Sequence, residues 1–334
     1  MNLPQFELIQ PRSIEEVCSL LQKHGEESAL LAGGTALIVN LQFRLKKPKI
    51  VIGLKGLAGL NYISQNKETL AIGSMVTLET LEKSPIILHG YPPMISTIQQ
   101  VAVPPVRNQA TLGGNICLEN RCIYYNQSEF WRRTQKPCLR LGGETCYAVE
   151  KGKRCQAVYS GDLAPLLMIL NAKVKILSTQ SERTVPLSEF FTGRGEKPNI
   201  LKPNELLTEI QIPVSEPGVG YAYEKLRIRE GMEFPMAGVA VRMKRKGDGT
   251  IEQLKMVLGA VGTAPIEVPE ASAFLIGQKP TDEILQEISR KAMEVARPVR
   301  NLIMDSEYRR KMVGVLTKRA LGRALAMAEK SQSS

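Results

Sequence analysis

The stretch Thr111-Leu112-Gly113-Gly114-Asn115-Ile116 is the one from which the rest of the chain is interpreted. Two glycines between polar residues predict a tight turn whose backbone N–H groups can approach an anion closely. A second turn, Ser160-Gly161-Asp162-Leu163-Ala164-Pro165, follows later, and five of the six cysteines lie from the first turn onward to the second. The pattern predicts a nucleotide-binding turn beside a redox or metal centre.

An earlier glycine pair has a similar character. The apolar run Ala29-Leu30-Leu31 predicts a strand, and it leads into Ala32-Gly33-Gly34-Thr35-Ala36-Leu37 and then a helix. Such a turn is a candidate pyrophosphate cradle, because glycine backbone and a helix start both favour negative charge. It matches neither the G-x-G-x-x-G pattern nor the P-loop, which disfavours NAD and ATP as ligands.

The composition is that of a globular protein. At 334 residues, with 43% hydrophobic and 23% charged residues, the chain predicts two or three domains. It shows no membrane span or signal peptide, so we expect a cytoplasmic protein whose clustered cysteines are ligands rather than disulfides. The net charge of +11 is dispersed and aromatic residues are only 5%, which argues against nucleic acid and favours an acidic redox partner. The densest early basic group is typical of a solvated face: Arg44, Lys46, Lys47 and Lys49.

Local patterns predict the remaining elements. Ser13 and Glu16 predict a helix start, with Cys18 as a buried core thiol and Gly25 as the helix end. Residues 214–220 predict a boundary, followed by antiparallel strands and three helices of an α+β domain. We expect the tail 330–334 to be disordered. His24 and His89 are interpreted as structural.

The cysteines leave three interpretations open. Cys122, Cys138, Cys146 and Cys155 are separated by fifteen, seven and eight residues, and no C-x-x-C pair exists. Structural zinc favours close pairs, whereas dispersed thiolates in a loop-rich segment can surround an iron-sulfur cluster. Unligated core thiols are the third interpretation. Aromatic residues near them are expected to pack the segment: Tyr124, Tyr125, Phe130 and Trp131.

The combination of both glycine turns with Arg107-Asn108 and Gly161-Asp162-Leu163-Ala164-Pro165 resembles the FAD-binding medium subunit of the molybdenum hydroxylase family, which includes xanthine dehydrogenase and carbon monoxide dehydrogenase. The resemblance spans nearly the whole chain. The cysteine-bearing insertion at about 118–158 is similar to that of 4-hydroxybenzoyl-CoA reductases. It implies a 4Fe-4S cluster bound by Cys122, Cys138, Cys146 and Cys155, with Cys117 left over.

The resemblance implies an α+β fold of the molybdopterin dehydrogenase and vanillyl-alcohol-oxidase-like type. Its expected parts are FAD-binding subdomains at 1–57 and 58–215 and a C-terminal α+β domain at 216–330. Asp162 is expected at the adenosine half of FAD, Leu207 near the ring system and Lys225 near the flavin. The residues implied for the diphosphate and ribityl chain come from the two glycine turns: Ala32, Gly33, Gly34, Thr35, Ala36, Leu37, Thr111, Gly113, Gly114 and Asn115.

The same resemblance implies partners. A 2Fe-2S subunit and a molybdopterin subunit would complete the complex, expected as a dimer of heterotrimers. Reduced ferredoxin would supply electrons for removing the hydroxyl of 4-hydroxybenzoyl-CoA. Two alternatives stay open: a hydroxylase subunit that passes electrons out to NAD or a quinone, and a zinc-stapled basic binding module.

Overall fold

The computed structural model describes residues 3–214, 218–301 and 303–332. Three β-sheets, each packed against helices, follow one another along this part of the chain, and a small hairpin accompanies the second sheet. The mixture of antiparallel sheets and helices agrees with the predicted α+β class.

The first sheet is parallel and contains the strand before the first glycine pair. Its order is β1-β3-β2, formed by β1 (Glu7–Ile9), β2 (Ser28–Leu31) and β3 (Ile50–Gly53), with α1 (Ile14–His24) and α2 (Leu37–Gln42) as connections. The predicted N-cap is confirmed, since the Ser13 hydroxyl accepts the Glu16 N–H at 3.2 Å. Cys18 is 2% exposed, which confirms it as a core thiol.

The second sheet is antiparallel, in the order β4-β5-β10-β6-β7. Its central strand β10 comes from far along the chain and pairs with β5 and β6, so the segments between them must leave the sheet and return. The strands are β4 (Ile63–Gln65), β5 (Thr69–Gly73), β6 (Lys173–Leu177), β7 (Glu182–Pro186) and β10 (Leu206–Pro213), and the separate hairpin is β8 (Phe191–Arg194) with β9 (Lys197–Asn199).

Most of the helices between β5 and β8 are short. They are α3 (Leu78–Lys83), α4 (Pro85–Gly90), α5 (Pro92–Gln99), α6 (Pro104–Arg107), α7 (Leu112–Ile116), α8 (Glu129–Arg133), α9 (Leu163–Ile169) and α10 (Leu187–Phe190). The central one is α9, whose seven residues are all buried. It packs against α5, α7 and the third sheet, so it lies where the elements of the site meet.

The third sheet is antiparallel, in the order β11-β12-β13-β14. Helix α13 covers β11 and β12, and its Lys330–Gln332 segment is helical, so the prediction of a disordered tail was wrong for those residues. The elements are β11 (Val219–Leu226), β12 (Ala237–Arg245), β13 (Ile251–Gly259), β14 (Ile266–Glu267), α11 (Pro269–Leu275), α12 (Asp282–Val295) and α13 (Ser306–Gln332).

Two expectations reach beyond the described residues. The predicted boundary at 214–220 includes residues 215–217, and the predicted tail includes 333–334, and both sets lie outside the described ranges. The limits 1–57, 58–215 and 216–330 therefore stay a prediction. Within residues 3–214, 218–301 and 303–332, no helix combines the length and apolar character needed to cross a bilayer.

Candidate cofactor sites

The first glycine pair lies directly against the loop that precedes the second. A Cβ atom on Gly33 would fall 1.7 Å from the carbonyl oxygen of Gln109, so only glycine permits this approach. Gly34 has a φ of 74°, in the left-handed region that favours glycine. Among the described residues, the N–H groups of 33–36 have no hydrogen-bond acceptor. This loop therefore presents free backbone donors, as an anion cradle requires.

The second glycine pair is a capped helical turn, so the expectation of a simple turn was wrong. Thr111 is the N-cap of α7, and its hydroxyl accepts the Gly114 N–H at 3.1 Å. The Gly113 N–H donates to the carbonyl of Ser74 at 2.9 Å, and the Asn115 N–H donates to the Thr111 carbonyl at 2.9 Å. These amides already have protein acceptors, so the second pair offers side chains and shape more than free N–H groups.

The structure adds Ser74 to the residues around this turn. Its hydroxyl is buried and has no hydrogen-bond partner among the described residues. A Cβ on Gly113 would fall 2.7 Å from the Ser74 Cβ, so the two residues are in close contact. An orphaned buried hydroxyl is costly unless a ligand completes it. Ser74 was not among the residues singled out from the sequence, and its position directly after Gly73 at the end of β5 was the available signal.

Asn115 joins the glycine turn at residues 111–115 to α9. Its side-chain oxygen accepts the Leu163 N–H at 3.3 Å. The Tyr159 hydroxyl donates to the carbonyls of Asn115 and Ile116 at 3.1 and 3.0 Å. The two turns quoted from the sequence are therefore fixed to each other, although sequence reasoning did not identify Tyr159.

Asp162 and Lys225 form an ion pair in the interior. Asp162 Oδ1 lies 3.0 Å from Lys225 Nζ, and their side chains are 4% and 0% exposed. The Tyr223 hydroxyl donates to the same oxygen at 3.2 Å, and Lys225 also donates to the carbonyls of Gln100 and Glu233. Burial raises the pKa of Asp162, while Lys225 and Tyr223 oppose that rise. The pair links the turn at residues 160–165, which contains Asp162, to the third sheet, where Lys225 lies on β11.

Leu207 lies on β10 and is 4% exposed. The carbonyl of its neighbour Thr208 accepts the Ser74 N–H at 2.9 Å, and α7 packs against β10. The structure therefore brings Leu207 near Ser74 and the glycine turn at residues 111–115. Among the residues named from the sequence, the two glycine turns, Asp162, Leu207 and Lys225 belong to one connected region.

The residues of this region suit FAD. A diphosphate needs convergent donors, which the free N–H groups of 33–36 supply, and the orphaned Ser74 hydroxyl offers another polar contact. When bound, FAD would supply one- and two-electron transfer chemistry. The protein contributes a backbone cradle, here called the FAD cradle and defined as residues 32–37 and 111–115.

The cysteine-bearing insertion, here called the cysteine segment and defined as residues 118–158, is closed at its base. Arg121 and Val158 exchange two backbone hydrogen bonds of 2.8 Å, and Asn120 donates to the carbonyls of Ala157 and Thr263 at 2.9 and 2.7 Å. The segment therefore leaves the fold and returns to it at one place.

Four cysteines from this segment line one cavity. Cys122, Cys138, Cys146 and Cys155 surround it together with Tyr124, Tyr125, Leu139, Arg140 and Tyr147. They converge although the shortest gap between them along the chain is seven residues. The structure thus brings together all four cysteines that were grouped from the sequence.

Polar groups point toward the cysteine sulfurs. The Tyr124 N–H donates to Cys122 Sγ at 3.4 Å. Burial raises the pKa of Cys122 and Cys155, while backbone N–H groups and, for Cys155, the Arg140 guanidinium act in the opposite direction. N–H donors and a nearby cation suit thiolate ligands of a metal centre.

A single ion and a larger cluster make different demands on the spacing of the four thiols. In the described ranges, no group of three or more His, Cys, Asp or Glu side chains lies close enough to hold one metal ion. Four thiolates on one ion at about 2.3 Å would have to approach one another much more closely than four thiolates around the corners of a larger cluster.

Aromatic residues partly follow the expectation for this segment. Tyr124 stacks in tilted geometry with Trp131 and Tyr147 at centroid distances of 6.5 and 6.0 Å, and Arg140 lies 3.8 Å above the Tyr125 ring. Phe130 is 81% exposed, so its expected packing role was wrong.

Cys117 belongs elsewhere. It packs against the large core of the second sheet rather than lining the cysteine cavity. Burial raises the pKa of its thiol to about 12. This placement agrees with its reading as the spare cysteine.

The comparisons with known proteins agree with this geometry. The family described as "FAD binding domain in molybdopterin dehydrogenase" matches residues 4–215, and "CO dehydrogenase flavoprotein C-terminal domain" matches residues 221–324. The chain belongs to this family. It is a FAD-binding medium-chain subunit of the molybdenum hydroxylase type, and the predicted fold class is confirmed.

Individual relatives cover nearly the whole length. The chain is 28% identical to the carbon monoxide dehydrogenase medium chain of Hydrogenophaga pseudoflava, covering 97% of this chain and 98% of that one. It is 27% identical to the caffeine dehydrogenase subunit beta of Pseudomonas sp. (strain CBB1), covering 97% and 96%. The solved carbon monoxide dehydrogenase from Hydrogenophaga pseudoflava superposes with a TM-score of 0.83 at 29% identity, covering 98% and 99%.

These findings make the chain an oxidoreductase subunit that binds FAD and works with other subunits. They overturn the alternative of a basic binding module, because both family matches describe flavoprotein domains.

Proposed function

We propose that the chain is the FAD and 4Fe-4S electron-transfer subunit of a molybdenum-dependent 4-hydroxybenzoyl-CoA reductase. Electrons from reduced ferredoxin enter at the 4Fe-4S cluster and leave through FAD for the 2Fe-2S and molybdenum centres of partner subunits. There two electrons and two protons convert 4-hydroxybenzoyl-CoA to benzoyl-CoA, and the phenolic hydroxyl leaves as water.

The observation that carries this proposal is the convergence of four cysteines on one cavity. Cys122, Cys138, Cys146 and Cys155 reach it from separate loops of an insertion that is closed at its base. Such a shell costs conformational entropy and buries thiols beside a cation, so it needs a function of its own. A cluster here gives the flavin subunit a second redox centre, as an inward electron path requires.

For FAD, we propose that Ala32 to Leu37 hold the diphosphate through the free N–H groups of 33–36. Thr111 and Asn115 shape the opposite wall, with Gly113 keeping it close to Ser74 and the Gly114 N–H donating to the Thr111 hydroxyl. Leu207 faces the ring system. Asp162 and Lys225 act as a pair, which fixes the turn at residues 160–165 relative to the third sheet.

The outer surface of the cysteine segment supports an acidic electron donor. Phe130 and Arg133 are exposed on α8 and Lys136 is exposed just after it. Trp131 of the same helix stacks with Tyr124, which lines the cysteine cavity. Positive charge attracts an acidic carrier, and an exposed aromatic ring suits a transient interface.

The test is the metal and flavin content of the complex purified without oxygen. We expect about four irons and four sulfides per chain together with one FAD. Cys138→Ser should remove the iron, whereas Cys117→Ser, the matched control, should retain it. Flavin without iron in the unaltered protein would overturn the cluster assignment.

The direction of electron flow needs a separate assay. We expect reduced ferredoxin, and not NADH, to support formation of benzoyl-CoA from 4-hydroxybenzoyl-CoA. Reduction of the complex by NADH but not by ferredoxin would instead favour a hydroxylase that passes electrons outward.

A further inference from the structure

We propose that Arg132 is a positioning residue that couples the cysteine segment to the FAD cradle, so that an occupied cysteine cavity strengthens FAD binding. This inference rests on the proposed function, since it takes FAD at 32–37 and a cluster at the four cysteines. Arg132 belongs to the cysteine segment, but its guanidinium lies against the N-terminal sheet region.

Arg132 is 9% exposed, and its donors are directed at backbone carbonyls. Nη1 donates to the Phe43 carbonyl at 3.0 Å and also to the Gln127 carbonyl, and Nη2 donates to the Arg44 carbonyl at 3.0 Å. One buried cation thus joins two segments that are far apart in the sequence. Among the described residues it has no carboxylate partner, so these carbonyls and the Tyr125 ring, 6.0 Å from Cζ, compensate its charge.

The carbonyls of Phe43 and Arg44 lie at the end of α2. The last carbonyls of a helix have no partners inside the helix, and a cation there is favourable. Arg44 has a φ of 55°, a conformation unusual for a residue with a side chain. Arg132 therefore fixes a strained helix end by bonds from outside.

Helix α2 transmits that restraint to the FAD cradle. It has only six residues and begins at Leu37, the last residue of the first cradle loop. The Ile38 N–H donates to the Gly34 carbonyl at 3.0 Å, so helical hydrogen bonding reaches into the glycine pair. A shift at the end of so short a helix must also move the free N–H groups of 33–36.

On its other side, Arg132 is connected to the cysteine cavity. Its acceptor Gln127 follows Asn126, whose side chain accepts the Cys122 N–H at 2.8 Å and whose own N–H donates to the Cys122 carbonyl at 2.9 Å. A cluster bound to Cys122 would hold this turn, and with it the Gln127 carbonyl. One path from ligand to cradle therefore runs through the Arg132 side chain.

Further contacts join the same two segments, and one of them is made by buried Asn40 of α2. Glu119 pairs with Lys46 at 2.6 Å and accepts from Asn40 at 3.2 Å, and the Tyr125 hydroxyl donates to the Leu45 carbonyl at 3.3 Å. These bonds also hold the segment at the end of α2, but among the described residues only Arg132 donates to the carbonyls of Phe43 and Arg44.

The experiment measures FAD dissociation by flavin fluorescence in the full chain purified with its partner subunits. We expect Arg132→Gln to raise the dissociation constant about tenfold, within the range of typical couplings. Arg133→Gln is the matched control, because Arg133 is the next residue, is exposed and forms its ion pair with Glu129 of the same helix. Arg132→Lys should restore part of the affinity, since one ammonium replaces the charge but not the fork of donors.

A double-mutant cycle separates coupling from a structural role. Cys138→Ser alone should also weaken FAD binding, and in the Arg132→Gln background it should have little further effect. Full additivity of the two changes, or a dissociation constant of Arg132→Gln equal to that of Arg133→Gln, would overturn the inference. Circular dichroism and thermal unfolding show whether each variant is folded, and Arg132→Lys provides the comparison if Arg132→Gln is not.

The two proposals fail differently. Iron in the unaltered complex with additive effects of the two changes overturns the coupling alone. Absence of iron from the unaltered complex overturns the cluster, and the coupling to it, even if Arg132→Gln still weakens FAD binding.

Discussion

The FAD cradle and the cysteine segment are built by different means. In the cradle, backbone approaches backbone, as at Gly33 and Gln109, and side chains such as Thr111 only complete the contacts. In the cysteine segment, side chains make most of the contacts that define the site. Thiols surround a cavity, and Arg132 and Glu119 attach the segment to the rest of the fold. The cradle can be disrupted by one added methyl group, whereas the segment depends on charges and ligands.

The largest effect should come from Gly33→Ala. Its Cβ would lie 1.7 Å from the Gln109 oxygen, so the cradle must open or the chain must lose its fold. We expect a cost of about 4 kcal/mol or more and loss of FAD, measured by thermal unfolding and flavin content. Gly90→Ala is the control, because nothing lies within 4 Å of the added atom. Full flavin content in Gly33→Ala would show that the cradle is not fixed by its backbone.

The next effect concerns the buried ion pair between Asp162 and Lys225 of the third sheet. Lys225→Met would leave Asp162 buried without its cation, at a cost of about 3 kcal/mol. Denaturant unfolding measures this, and adding Asp162→Asn should recover part of the loss. If the double variant is as unstable as the two single changes combined, the pair does not act as a unit.

Cys117 sharpens the distinction between the two classes of cysteine. Its pKa is raised by burial to about 12 from an ordinary value of 9.0, so the folded state favours the thiol. This contribution to stability is present below pH 9 and is lost as the pH rises toward 12. At pH 8 its thiolate fraction is about a thousandfold below that of an ordinary thiol.

Alkylation by iodoacetamide, followed by mass spectrometry, tests this property. Cys117 should react at pH 8 only after unfolding in urea. Equal rates in native and unfolded protein would place Cys117 outside the core.

The smallest effect is expected for Lys46→Gln. Its pair with Glu119 joins the same segments as Arg132, but the two side chains are 43% and 28% exposed. Solvent screens such pairs, so we expect a loss of about 0.5 kcal/mol in thermal unfolding and unchanged FAD affinity. A tenfold loss of FAD affinity would shift the attachment from Arg132 to the surface contacts.

Several features could be predicted from sequence because they depend on neighbouring residues. The Ser13 cap, the Cys18 core position and the strand before Gly33 follow from local periodicity and cap chemistry. The group of four cysteines followed from residue type and from the resemblance. By contrast, the sequence predicts a turn at residues 111–115, because a glycine pair disfavours a helix. The helix α7 forms there because Thr111 caps it and carbonyls outside the helix accept its first N–H groups.

The basic group at Arg44 to Lys49 shows a second limit. Lys46 and Lys47 are exposed, as a solvated face predicts, and they also pair with Glu119 and Glu129 of the cysteine segment. Lys49 pairs with Glu27. Those partners are distant in sequence, so composition alone could not reveal them.

The sequence by itself determined the residue chemistry: two glycine turns for a cofactor and four thiols without a close pair. Only the tertiary structure decided which amides stay free, which hydroxyl is orphaned and what each charge contacts. Asp162 and Lys225 were each expected beside the cofactor, and the fold pairs them with each other. The physical reason is that burial and pairing depend on contacts between distant segments, which local periodicity does not encode.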